Sequence, residues 1–138
     1  MKKKSIEAAS ITRQGAKVFQ GNSPWYSGDC QMIGPEDPSL PHKGPAVTFF
    51  PNGTGTFSAH GRSTDDDDTW EFRIEVVDAL GSVILKLPGT TIIFGTPHDL
   101  FWTHDMSEPN FWYGIIREFK FDPILFERIN SVNYRCNC

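Results

Sequence analysis

Hydrophobic and polar residues alternate most regularly between residues 44 and 87, and that alternation predicts strands. From Trp70 the period is two, with Trp70, Phe72, Ile74 and Val76 on one face and Glu71, Arg73 and Glu75 on the other. Such a segment buries one face and wets the other, as antiparallel strands do. Residues 47–50 and 54–61 read the same way on either side of Pro51-Asn52-Gly53. Asn-Gly between apolar runs predicts a type I′ hairpin, because both turn positions need positive φ. The run Ser63-Thr64 followed by Asp65, Asp66, Asp67 and Asp68 reads as an acidic turn leading back. The three extended segments are therefore expected to form one antiparallel meander.

The flanks add shorter elements. Val18-Phe19 and Trp25-Tyr26 look like pieces of a first strand interrupted at Asn22-Ser23-Pro24. Residues 34–45 hold four prolines and are expected to form a long loop, since proline removes a ladder donor. Asp78-Ala79-Leu80-Gly81 reads as a turn, residues 82–87 and 90–94 as short strands, 96–110 as a loop-rich insert, and 111–121 as the longest strand. Asp122-Pro123 starts a helix in which Ile124, Leu125, Phe126 and Ile129 face the core. The fold expected is mostly all-β: a single-domain antiparallel β-barrel, calycin-like, with one short C-terminal helix. A β-sandwich is the alternative. Closure is favoured because it removes exposed strand edges. Residues 1–17 read as a flexible lead-in and 18–138 as the single barrel domain.

Composition changes this picture in one respect. Among 138 residues there are 11 Phe and 4 Trp, so the core must be aromatic, and rings of that size either fill a barrel or wall a cavity. A net charge of −4 and one short basic run, Lys2-Lys3-Lys4, exclude a general attraction to nucleic acid. Glu7 and Arg13 stand where the apolar part of a secretory signal belongs, and no apolar run approaches the ~18 residues of a membrane span. Cytoplasmic residence is the default reading, with secretion after removal of a leader left open. Three cysteines, Cys30, Cys136 and Cys138, leave at least one thiol outside any single bridge, and reduced structural thiols are the plain reading.

Several of these stretches together resemble a small, functionally uncharacterised bacterial family, a domain of unknown function. They are Gly28-Asp29-Cys30, the hairpin from Val47 through Pro51-Asn52-Gly53-Thr54, and Ser63-Thr64-Asp65-Asp66 leading through Asp68 to Trp70. Val77-Asp78-Ala79-Leu80-Gly81, Phe121-Asp122, Leu125-Phe126, Ile129 and Cys136 complete the pattern. The resemblance runs from about Phe19 to Cys136 and brings no known activity. It implies a Cys30–Cys136 bridge. The chain departs from the pattern in its longer N-terminus, its proline-rich loop and its second terminal cysteine, Cys138.

Candidate chemistry is sparse. The four consecutive aspartates lack the central Gly and the register of a calcium loop, so a solvated turn, a weak metal site and an acid lining the barrel mouth stay open, with Asp66 the acid chosen. His98-Asp99 and His104-Asp105 offer a base with an orienting carboxylate, or simply exposed loop histidines. No catalytic elbow, zinc helix or phosphate loop accompanies them, and Cys-x-Cys lacks zinc-ligand spacing. Arg117 interrupts an apolar stripe of Tyr113, Ile115 and Phe119. It must reach the mouth, pair with a carboxylate such as Glu71 or one of the acidic-turn aspartates, or hold a ligand anion or carbonyl.

The expected function is a small-molecule-binding barrel with an aromatic cavity, a cofactor-independent cyclase or isomerase if it is an enzyme. Trp25, Tyr26, Trp70, Phe72, Trp102, Trp112 and Tyr113 would bind a small apolar or amphipathic molecule, and His98, His104, Asp105, Arg117 and Asp66 would move protons. No metal and no cofactor are expected. The competing reading is a non-enzymatic protein or glycan interaction module, and open strand edges leave homo-oligomer formation open.

Overall fold

The computed structural model describes residues 2–6, 10–11, 15–36, 43–88, 90–93, 96–99 and 102–138, with 2–6, 10–11, 90–93, 96–99 and 102 described as backbone. Within it Trp70, Phe72, Ile74 and Val76 are all fully buried, as their alternation predicts. The strands in chain order are β1 (Lys2–Ile6), β2 (Ser10–Ile11), β3 (Lys17–Gln20), β4 (Trp25–Ser27), β5 (Cys30–Ile33), β6 (Ala46–Phe49) and β7 (Thr54–Ser63). They continue as β8 (Asp68–Val77), β9 (Val83–Leu87), β10 (Thr90–Ile93), β11 (Thr96–Asp99), β12 (Trp102–Met106), β13 (Tyr113–Lys120) and β14 (Ser131–Asn137). A short 3₁₀ helix, Pro123–Arg128, precedes β14.

The larger sheet runs β2-β3-β6-β7-β5-β4 with β13 on the other side of β7, and one of the two main sheets curls into a half-barrel. The second runs β1-β14-β8-β12, with β9 also paired to β8, and packs beside it. All pairings are antiparallel, and the arrangement fits both a barrel and a sandwich. The strands β10 and β11 form a separate pair, so the stretch expected to be a loop-rich insert is largely extended.

The hairpin of β6 and β7 forms where Asn52-Gly53 places it, but with a different turn. Phe50 accepts from the Gly53 N–H at 3.1 Å, and Gly53 has φ +88° while Asn52 stays at negative φ. Pro51 at the first central position and Gly53 in the left-handed region make a type I turn closed by a glycine bulge. The expected meander is corrected at the next step: β8 does not pair with β7. Both edges of β7 are already taken, one by β13 along residues 54–61 and the other by β6 and β5 in tandem. The chain therefore crosses at the acidic turn into the second sheet.

That crossing creates the core between the sheets. Phe57 of β7 stacks on Phe72 of β8 at 4.7 Å, and Trp25 of β4 meets Tyr134 of β14 edge-on at 4.7 Å. The inward face of β7 carries Gly55, Phe57, Ala59 and Gly61, small residues around one ring. A Cβ on Gly61 would stand 2.9 Å from the Trp70 indole nitrogen, so glycine there makes room for the largest side chain of the core. The terminal helix is 3₁₀ rather than α, which places residues three apart on one side. Phe126 and Ile129 are buried, while Ile124, expected in the stripe, is 77% exposed. Asp122 caps the helix by accepting from the Ile124 N–H, and Lys17 donates to the carbonyls of Phe126 and Ile129, both at 2.9 Å.

Asp78 closes the β8–β9 turn. Its carboxylate accepts from the N–H groups of Ser82 (2.9 Å) and Leu80 (3.0 Å) and from Arg128 at 3.2 Å. The Ser82 N–H, with Arg128 and Leu80, holds the carboxyl below its ordinary value of 3.8 against the opposing effect of burial. A depressed folded-state pKa contributes stability above pH 3.8 that is lost as pH falls through the folded value. Asp78→Asn is thus expected to lower the urea midpoint at neutral pH, with the difference from wild type vanishing in acid. Parallel urea titrations across pH check this.

Candidate functional site

One rung crosses four strands of the larger sheet. Tyr26 of β4 pairs with Gln31 of β5, Gln31 with Arg62 of β7, and the β7–β13 register carried one residue past Tyr113 sets Trp112 opposite Arg62. Side chains at one rung share a face. The next rung, with Trp25, Met32 and Gly61, points into the core, so the Tyr26 rung lies on the opposite face, where Gln31 is itself covered, only 9% exposed. Tyr26 is 61% exposed and its hydroxyl accepts from the Gln31 amide at 3.2 Å. The Arg62 guanidinium lies over the half-buried Trp112 ring, 4.7 Å from its centre. A cation held against a ring face in this way loses little further freedom on binding. Below the row, a Cβ on Gly114 would meet nothing within 4 Å, which leaves His60 on β7 beside an open step.

A second group sits where β12 meets β13. Arg117 donates to the Thr103 carbonyl at 2.8 Å and to His104 Nδ1 at 3.2 Å, so it ties the two sheets together instead of meeting Glu71 or an acidic-turn carboxylate. His104 packs edge-on to Tyr113, 5.7 Å between rings. Burial, and then the Arg117 charge, hold His104 below its ordinary value, with Asp105 pulling the other way. Because arginine only donates, Nδ1 must accept and the proton of the neutral ring sits on Nε2. The ring lone pair that a general base would use is thereby occupied.

The third group is the acidic turn. Ser63 donates to Asp68 and accepts from the Asp65 N–H, while the Thr64 N–H donates to the Asp29 carbonyl at 3.0 Å. Asp29 shares a hydrogen bond with the exposed Asp65 carboxyl and raises its pKa, with Asp68 and Asp66 adding to the effect. Cys30 is joined to Cys138, and not to Cys136 as the resemblance implies. The register explains the choice. Cys30 stands opposite Ser63 at the turn end of β7, and Cys138 lies just past the end of β14, whereas Cys136 pairs with Phe72 deeper in the sheet, where it is buried.

The sequence-predicted residues thus divide. His104, Asp105 and Arg117 come together on neighbouring strands, although Asp105 turns to the Thr69 hydroxyl at 2.8 Å. Asp66 is exposed in the turn, and the side chains of His98 and Trp102 lie outside the described residues. Trp25, Trp70 and Phe72 belong to the packed core, whereas Tyr26 and Trp112 face outward. A cavity of about 440 Å³ opens on the surface beside Phe50, Thr54, Thr56, Glu118 and Phe119, and one of about 220 Å³ beside Asp67, Asp68 and Asp105. Sequence reasoning missed Gln31 and Arg62 altogether, and missed Ser63 as a donor to Asp68 and Cys138 as the partner of Cys30, because only the pairing register brings them together.

Residues 46–138 match the model of a family described as a family of unknown function (DUF6294). The match takes in the hairpin, the acidic turn and both terminal cysteines but starts after Cys30. No curated protein and no solved structure matches the chain. Among the described residues, no helix is long and apolar enough to cross a membrane.

Proposed function

We propose, for a chain that belongs to the DUF6294 family of unknown function, that it is a non-enzymatic carbohydrate-binding module whose ligand lies across the outer face of the larger sheet. The observation that carries this reading is the row Tyr26, Gln31, Arg62 and Trp112 on one rung. A sugar ring has an apolar face that stacks on an aromatic side chain and a rim of hydroxyls that pairs with planar amide and guanidinium groups. A shallow platform buries little ligand, so a dissociation constant on the order of 0.1–1 mM, about 4–5.5 kcal/mol, is expected. The packing of Trp25, Trp70 and Phe72 into the core favours this outer face over an interior site. The occupied Nδ1 of His104 favours binding over proton transfer.

The test is a titration with soluble hexasaccharides of glucose and of N-acetylglucosamine, followed by tryptophan fluorescence. Trp25 and Trp70 are buried, so in a Trp102→Phe background, used for all of these titrations, a saturable change should come from Trp112. Trp112→Ala should abolish the response, and Arg62→Ala should weaken binding about tenfold, roughly 1.4 kcal/mol. A protein that responds to neither series, or whose response survives Trp112→Ala, contradicts the reading.

A further inference from the structure

We propose that, once its disulfide is reduced, the protein holds a zinc-type divalent cation between Cys30, Cys138 and Asp68. These three residues come from β5, the start of β8 and the chain end after β14, and their ligand atoms all lie within 4.8 Å of one another. Cys30 Sγ is 3.7 Å from Asp68 Oδ2. With Zn–S near 2.3 Å and Zn–O near 2.1 Å, the sulfur–oxygen edge of a tetrahedral site is about 3.6 Å, so these two donors already have the required separation. The two sulfurs would part to roughly 3.8 Å, the corresponding sulfur–sulfur edge. Cysteines with Cα atoms 6.2 Å apart span that distance by side-chain rotation. Ser63 donates to Asp68 Oδ2 and is itself fixed by the Asp65 N–H, a supporting contact of the kind that orients metal-ligating carboxylates.

Electrostatics separates this site from a redox-exchanging one. A reactive thiol pair needs positive neighbours to favour the thiolate. Here a carboxylate touches Cys30, and Asp29, Asp65 and Asp66 surround the turn. Such a setting repels thiolates unless a cation joins them. The steps balance: a dithiol reductant takes over the disulfide bond and leaves two protein thiols, and the cation then displaces two thiol protons while Asp68 binds as the carboxylate. No local spacing encodes the site, because positions 30, 68 and 138 are brought together only by the fold.

The full-length chain, reduced with a phosphine and titrated with Co²⁺, tests it. One equivalent should give a thiolate-to-cobalt charge-transfer band, displaced by Zn²⁺ and absent from the oxidised protein. Cys136→Ala should keep the band, Cys138→Ser should lose it, and Asp68→Asn should weaken binding at least tenfold. Zn²⁺ should also raise the thermal midpoint of the reduced protein, or restore its fold if reduction unfolds it. No band and no change in the midpoint overturns the proposal. So does a band that survives Cys138→Ser and disappears with Cys136→Ala.

Discussion

Reduction of the Cys30–Cys138 disulfide in metal-free buffer is expected to lower the unfolding free energy by about 4–5 kcal/mol, the loop-entropy value for a closed loop on the order of 100 residues. The bridged positions are separated by 108 residues, and the bond joins β5 of the larger sheet to the end of β14 in the second. Without it the unfolded chain regains nearly all the freedom that the bond removes. The folded state also loses a covalent tie between its two sheets. Against a typical domain stability of roughly 5–15 kcal/mol, this loss is large. Urea titrations of oxidised and reduced protein measure it, with a steeper dependence expected for the reduced, more expanded denatured state. Coincident transitions would show that the bond contributes nothing. Cys136→Ala, which leaves the bridge intact, is the control.

Trp70→Ala is expected to cost about 3–5 kcal/mol, the range for removing a buried aromatic ring from a packed core. The ring is fully buried and its indole N–H has no acceptor among the described residues, so the loss is one of packing. Gly61 supplies the space the ring occupies: a Cβ there would stand 3.0 Å from Trp70 Cδ1 and 3.2 Å from Ile115 Cδ1. Gly61→Val alone should therefore destabilise by roughly 1–3 kcal/mol through overpacking. In the Trp70→Ala background the valine should instead fill part of the void, so the two losses should fall well short of additive. A double-mutant cycle read by urea denaturation decides. Additive effects would mean that the two positions do not share one space.

The alternation from Trp70, the Asn-Gly hairpin, the Asp78 turn and the Asp122 cap are all readable in the sequence because each rests on neighbouring residues. The parting of β7 and β8 is not readable. It follows from β13, some fifty residues downstream, occupying an edge of β7. The same holds for the site. Tyr26 and Trp112 stand out as aromatic, yet Gln31 and Arg62 look ordinary until the register places them in the same row. Arg117 does stand out as a charge in an apolar stripe, and the partners it finds, a backbone carbonyl and His104, belong to a strand the sequence presents as loop. The disulfide partner of Cys30 turned on two residues of register, which is the difference between the penultimate residue of β14 and the position just beyond its end.

The outward row on the larger sheet is best examined by following backbone and side-chain amide NMR signals of the ¹⁵N-labelled protein during titration with the same hexasaccharides. The expected result is a set of shifts centred on Tyr26, the Gln31 side-chain amide, Arg62 and the Trp112 indole, with the core signals of Trp70 and Tyr134 unmoved. Shifts centred on the core or on His104 and Arg117 while the row stays still, or no shifts at all, would contradict it.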